Sequence, residues 1–161
     1  MALNEILDEF AGSRNLPPYV EAELDKYTVP LGSATVYRGL PYLKERIRDG
    51  EIIMQWNGST HWTLDKSIAD RFTMDYINED YVEEIAEEKG METSDVFGLF
   101  VPLILTMDAP DVPVVELYKY VREGLADEKE VTIRGYDFRL SDIKEVDGCF
   151  YATAKPVKRA A

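Results

Sequence analysis

Cysteine and histidine are nearly absent from this 161-residue chain, which has one of each, Cys149 and His61. A disulfide framework needs cysteine pairs, and the usual zinc site needs several Cys or His ligands, so counting alone excludes both. A metal held by carboxylates alone stays open. Basic residues are scarce too: 18 Lys and Arg stand against 31 Asp and Glu, giving a net charge of −13. Proteins that grip nucleic acid by its phosphates do so with Lys and Arg, so that class is disfavoured. Basic partners, or plain solubility, are favoured instead. No basic-then-apolar leader opens the chain, since MALNEILDEF is acidic and amphipathic. The most apolar run, VFGLFVPLILTM at 96–107, contains a glycine and a proline and is too short to cross a bilayer as a helix. A soluble, cytoplasmic, monomeric chain with no membrane partner is expected. The phosphate-binding patterns G-x-x-x-x-G-K-[ST] and G-x-G-x-x-G are missing as well, which disfavours P-loop and Rossmann nucleotide sites. There is no repeat, low-complexity tract or linker.

What is present suits one domain over 1–161, with 45% hydrophobic residues to build a core. Residues 1–30 read as amino-terminal helices: Leu3, Ile6, Leu7 and Phe10 fall at helical spacing, and Pro17-Pro18 open a second helix through YVEAELDKY. SATVYRGL (33–40) reads as a strand, PYLKERIRDG as a short helix or turn closed by Gly50, and EIIMQW as another strand. STHWT (59–63) is extended and runs into LDKSIADRF, a helix with Asp65 as N-cap and Ile68, Ala69 and Phe72 on one face. Residues 75–95 form an acidic helical segment with Ile77, Tyr81 and Ile85 inward, its charge run most simply a solvated face. From 97 the chain turns to strands. Helices early and strands late predict an α+β fold with a largely antiparallel sheet.

Three short stretches carry chemistry. In ADEKEVTI, strand alternation points Glu128, Glu130 and Thr132 to one face while Val131 and Ile133 enter the core. Two acids so close repel, unless a cation or a substrate hydroxyl answers them. In STHWT, Ser59, His61 and Thr63 share a face. In VYRG, Arg38 is followed by Gly39, which permits close backbone approach. Each alone is weak: a solvated strand end, a helix cap and a surface ion pair are the bland readings.

Their order is more specific. Strand-Tyr-Arg-Gly, then a polar strand running into TLDKSIADRF, then EKEVTIRGYDFRL resembles the arginine-type (R-S-E) mono-ADP-ribosyltransferases over about residues 30–157. Small phage enzymes and bacterial toxins belong to that family. The resemblance implies a split β-sandwich that binds NAD, without a metal, and breaks its nicotinamide–ribose bond. Glu130 would stabilise the cation developing on the ribose, as carboxylates do for glycosidases. Glu128 would align the attacking group, and Arg38, with Gly39 beside it, would hold an NAD phosphate. Two registers exist for the family's Ser-Thr-Ser. One pairs Ser59-Thr60 with its first two residues. The other pairs His61-Trp62-Thr63 with it and places Phe72 eleven residues after His61, where family members often stack an aromatic on nicotinamide. The second is preferred.

The resemblance further implies transfer of ADP-ribose to a macromolecule, an arginine of a basic host protein, in the host cytoplasm if the chain is phage-encoded. An RNA acceptor is disfavoured by charge. An NAD glycohydrolase, and an impaired relative gripping a basic partner through its acidic helix, are the alternatives. Trp62 points away from His61, toward the core. Tyr118, Tyr120 and Arg122 precede the two acids, where the family docks its target, although loop packing explains them equally well. Nothing local activates Cys149 as a partner for His61.

Overall fold

The computed structural model describes residues 18–53, 59–73, 77, 79–120 and 129–159. Among these residues, four α-helices, α1 (Pro18–Leu24), α2 (Lys66–Arg71), α3 (Glu79–Lys89) and α4 (Thr93–Val96), accompany nine strands. The strands are β1 (Val29–Pro30), β2 (Val36–Leu43), β3 (Ile52–Ile53), β4 (Ser59–Thr63), β5 (Phe100–Met107), β6 (Pro113–Val115), β7 (Glu130–Arg134), β8 (Tyr136–Val146) and β9 (Cys149–Lys158). They form one mixed sheet in the order β1-β6-β7-β4-β2-β5-β9-β8-β3. Every pairing is antiparallel except β5 with β9.

The sheet bends over on itself. β4 and β8 are not neighbours in strand order, yet the Trp62 and Phe138 rings pack tilted at 59° with centroids 4.9 Å apart. Val36, Leu103, Leu105, Val131, Ile133 and Leu140 fill the same core, so alternate residues from both halves of the sheet face one apolar centre. Trp62 is 1% exposed, and its indole N–H donates to Thr60 Oγ1 at 2.9 Å. This is the core role expected of it. Asp147-Gly148 makes the two-residue turn between β8 and β9, with φ of 51° and 83°. Asx-Gly suits such hairpins because both positions need positive φ.

Several local expectations are corrected. β2 does not end at residue 40 or give way to a helix at Pro41. It continues to Leu43 because β5 pairs with it throughout, Pro41 lying opposite Pro102. Two facing prolines fit only a pair that exchanges no hydrogen bonds, so the ladder loses nothing. The amino-terminal helical region holds for 18–27, where a 3₁₀ turn follows α1, but Val29–Pro30 is a strand; residues 1–17 lie outside the described residues. In the acidic segment the buried stripe is Val82, Ile85 and Ala86, with Ile77 and Tyr81 packed beside it. Glu83, Glu84, Glu87 and Glu88 are exposed, as a solvated face requires. Only residues 52–53 of the EIIMQW strand are described.

Candidate active site

β4 and β7 run antiparallel in the register His61↔Thr132 and Thr63↔Glu130. Residues opposite one another share a face, so His61, Thr63, Glu130 and Thr132 lie together on the outer side of the sheet while Trp62, Val131 and Ile133 fill its inner side. Burying Val131 and Ile133 sets this register, because a one-residue slip would expose both. His61 Nδ1 is 2.8 Å from Glu130 Oε1, and the two side chains are 31% and 32% exposed. Thr132 Oγ1 lies 3.1 Å from the same nitrogen. The arrangement is a half-open carboxylate–imidazole pair braced by a buried threonine.

The two candidate residues of STHWT sit differently in this register. His61 is the residue that reaches Glu130, whereas the Ser59 backbone pairs with Arg134 at the far end of β4. Thr63 is buried, and its hydroxyl accepts from the Asp65 N–H at 3.1 Å. Asp65 then caps α2 as expected, accepting from the Ser67 N–H at 2.9 Å and the Ser67 hydroxyl at 2.6 Å. Those two bonds hold the Asp65 carboxyl below its ordinary value. Phe72 is the C-cap of α2 and is 38% exposed, so it does not join Ile68 and Ala69 on the buried face.

The register between β2 and β4 is a single pair, Tyr37↔Thr63, after which β2 follows β5 alone. Arg38 and Gly39 sit just past this fork. Gly39 faces α2: a Cβ placed on it would lie 1.8 Å from the Ala69 carbonyl oxygen. The glycine is therefore required by helix packing. Arg38, one residue earlier, is half-buried and alternates to the side of Leu105, its partner on β5. Thus His61, Thr63 and Glu130 are brought together, whereas Arg38 lies on the opposite pleat of the next strand.

Glu128 and Arg122 lie outside the described residues. Lys129 has φ of 48°, left-handed for a side chain that disfavours it. β7 begins at the next residue, Glu130. The Tyr118 hydroxyl donates to Glu116 Oε2 at 2.8 Å, a bond that raises the phenol's pKa and, with Lys119, lowers that of Glu116. Tyr120 packs edge-on against Tyr27, centroids 5.3 Å apart, beside Leu24, Val115 and Leu117. Both tyrosines thus have structural partners. Cys149 is on β9, separated from His61 by β2 and β5.

A cavity of about 300 Å³ opens along the same outer face, lined by Asp25, Thr28, Pro113, Val115, Thr132 and Arg134. Thr132 joins it to the His61–Glu130 pair, and Arg134 is ion-paired with Asp25. A larger hollow of about 450 Å³, at Lys44, Glu45, Gly98, Leu99 and Val101, contains no residue of the three motifs. Among the described residues, no group of three or more His, Cys, Asp or Glu side chains is placed to hold a metal. None of their helices is long and apolar enough to cross a membrane.

No protein-family model matches the chain, and no curated protein matches its sequence. Solved structures do match. The ADP-ribosyltransferase Vis in complex with agmatine superposes with a TM-score of 0.64 at 15% identity, covering 97% of this chain and 74% of Vis. Vis with the M6 inhibitor gives 0.62 at 16%, over 97% and 72%. The Vis toxin from Vibrio splendidus gives 0.56 at 15%, over 98% and 69%. The chain has the ADP-ribosyltransferase fold.

On this ADP-ribosyltransferase fold, sequence reasoning missed Asp25 and Arg134. They are separated by 109 positions, and no local pattern joins a residue after α1 to the end of β7. Thr132 was legible as a face-mate of Glu130, but its contact with His61 needed the strand register.

Proposed function

We propose that the chain cleaves the nicotinamide–ribose bond of NAD and transfers ADP-ribose to a macromolecular acceptor, an arginine of a basic protein. The observation that carries this reading is the contact between Glu130 and His61 on the open face of an ADP-ribosyltransferase fold. Glu130 supplies the half-exposed carboxylate that an oxocarbenium-like ribose needs. Oε1 faces His61, leaving Oε2 for a ribose hydroxyl. Arg38 holds an NAD phosphate, Gly39 beside it lets β2 pack against α2, and Phe72 offers an exposed ring to nicotinamide. His61 and Thr63 occupy the family's Ser-Thr-Ser position, with Ser59 further along the strand, and Glu128 aligns the acceptor.

One of the matching Vis structures holds agmatine, a small guanidine, which supports a guanidinium acceptor here. The net charge of −13 favours a basic protein over RNA. The chain acts as a monomer in the cytoplasm, that of the host if a phage encodes it.

The test is incubation with biotin-labelled NAD and a bacterial extract, wild type beside Glu130→Gln, reading bound label and free nicotinamide together. Label on discrete protein bands, lost in the variant, is the expected result. Nicotinamide release without bound label would instead identify an NAD glycohydrolase. Silence in both channels, with a basic protein retained equally by wild type and variant, would identify an acidic binding module.

A further inference from the structure

We infer that His61 is the general base of the reaction, its Nε2 taking the proton from the acceptor as the new bond to ribose forms. This rests on the transferase reading above. An ionised carboxylate oxygen can only accept, so the 2.8 Å contact makes Nδ1 the protonated nitrogen of the ring. Neutral imidazole then carries its lone pair on Nε2. Glu130 and Thr132 both engage Nδ1, and no hydrogen bond occupies Nε2 among the described residues. The side chain is 31% exposed, so that lone pair has access to an incoming group. Orienting an imidazole through one nitrogen with a carboxylate, and working with the other, is the geometry a base of this kind needs.

The step balances. The bond from C1′ of the ribose to the nicotinamide nitrogen breaks, its electron pair leaving with nicotinamide, which departs neutral. The acceptor's lone pair bonds to C1′, its proton passes to Nε2, and the resulting imidazolium is stabilised by Glu130 until water takes the proton. Glu128 orients the acceptor in this scheme, and His61 relieves it of charge. The ionisable groups beside His61 are Glu130 and Arg134 on β7, Lys129 before it, Tyr37 on β2 and Asp65 at the entry to α2, with Arg134 engaged by Asp25.

The test compares wild type with His61→Asn, whose amide N–H can occupy the place of Nδ1–H against Glu130 but cannot accept a proton. Nicotinamide release is followed from pH 5 to 9, with water or agmatine as acceptor, beside equilibrium binding of NAD. Wild-type kcat should fall as pH is lowered toward 5, because a protonated imidazole cannot act as a base. His61→Asn should lose about 10²-fold or more in kcat with KM for NAD nearly unchanged, and lose that decline. Retention of kcat within a few-fold by His61→Asn would reduce His61 to a brace and overturn the assignment. So would a wild-type profile that stays flat down to pH 5. Wild type that neither binds nor cleaves NAD would overturn the transferase reading itself, and this assignment with it.

Discussion

A Cβ on Gly39 would lie 1.8 Å from the carbonyl oxygen of Ala69, closer than any side-chain carbon can sit to backbone. Gly39→Ala must therefore push α2 off β2. Overpacking costs typically about 1–3 kcal/mol, and backbone rather than a flexible side chain is struck here, so the upper end or beyond is expected. The urea midpoint should drop accordingly. A variant of normal stability that binds NAD weakly would show instead that the glycine serves the cofactor alone.

Glu130→Gln keeps a carbonyl oxygen for the His61 N–H but removes the charge. The fold should survive, with an unchanged thermal transition. Nicotinamide release should fall by about 10²–10³-fold, the usual cost of losing one preorganised group that stabilises charge in a transition state. Activity within a few-fold of wild type would dismiss Glu130 as the catalytic carboxylate.

Arg38 distinguishes a phosphate grip from a strut. Charge-assisted hydrogen bonds are worth about 1.5–3 kcal/mol, so a phosphate grip predicts that Arg38→Lys weakens NAD binding by roughly 10–100-fold at nearly constant stability. Calorimetric titration with NAD, beside a denaturation curve, reads both. Unchanged affinity with lowered stability would assign Arg38 to the Leu105 side of the sheet as packing.

Asp65 carries a pH prediction. Hydrogen bonds from the Ser67 hydroxyl and backbone N–H lower its folded pKa beneath the ordinary 3.8. A depressed carboxyl contributes stability that is present above its unfolded value and lost as pH falls through the folded one. Asp65→Ala should therefore melt below wild type at pH 7, and the gap should close as pH is taken below 3.8. A gap independent of pH would mean that the cap acts without its charge.

Trp62 anchors the two halves of the sheet through Phe138. Trp62→Ala should cost about 3–5 kcal/mol in chemical denaturation. Trp62→Phe should recover much of that loss. A small loss in the alanine variant would show that the core collapses around the gap.

The sequence alone determined what depends on near neighbours along the chain. Alternation put Val131 and Ile133 inside and Glu130 and Thr132 on the other face, and Asp65 announced the start of α2. The order of the three motifs pointed to the fold that the structural matches share. Tertiary structure decided everything that joins distant segments. His61 meets Glu130 because β4 pairs with β7 in one register, a choice made by burying Trp62, Val131 and Ile133 together. Gly39 is fixed by a helix that begins well downstream, and Arg38 takes the Leu105 side because β5 continues to pair with β2 after β4 has left it. Lys129 takes a positive φ just before β7, which no periodicity reveals. Periodicity records which face a residue prefers; which residues then share that face is settled by strand pairing, and pairing is selected by the burial of the whole core.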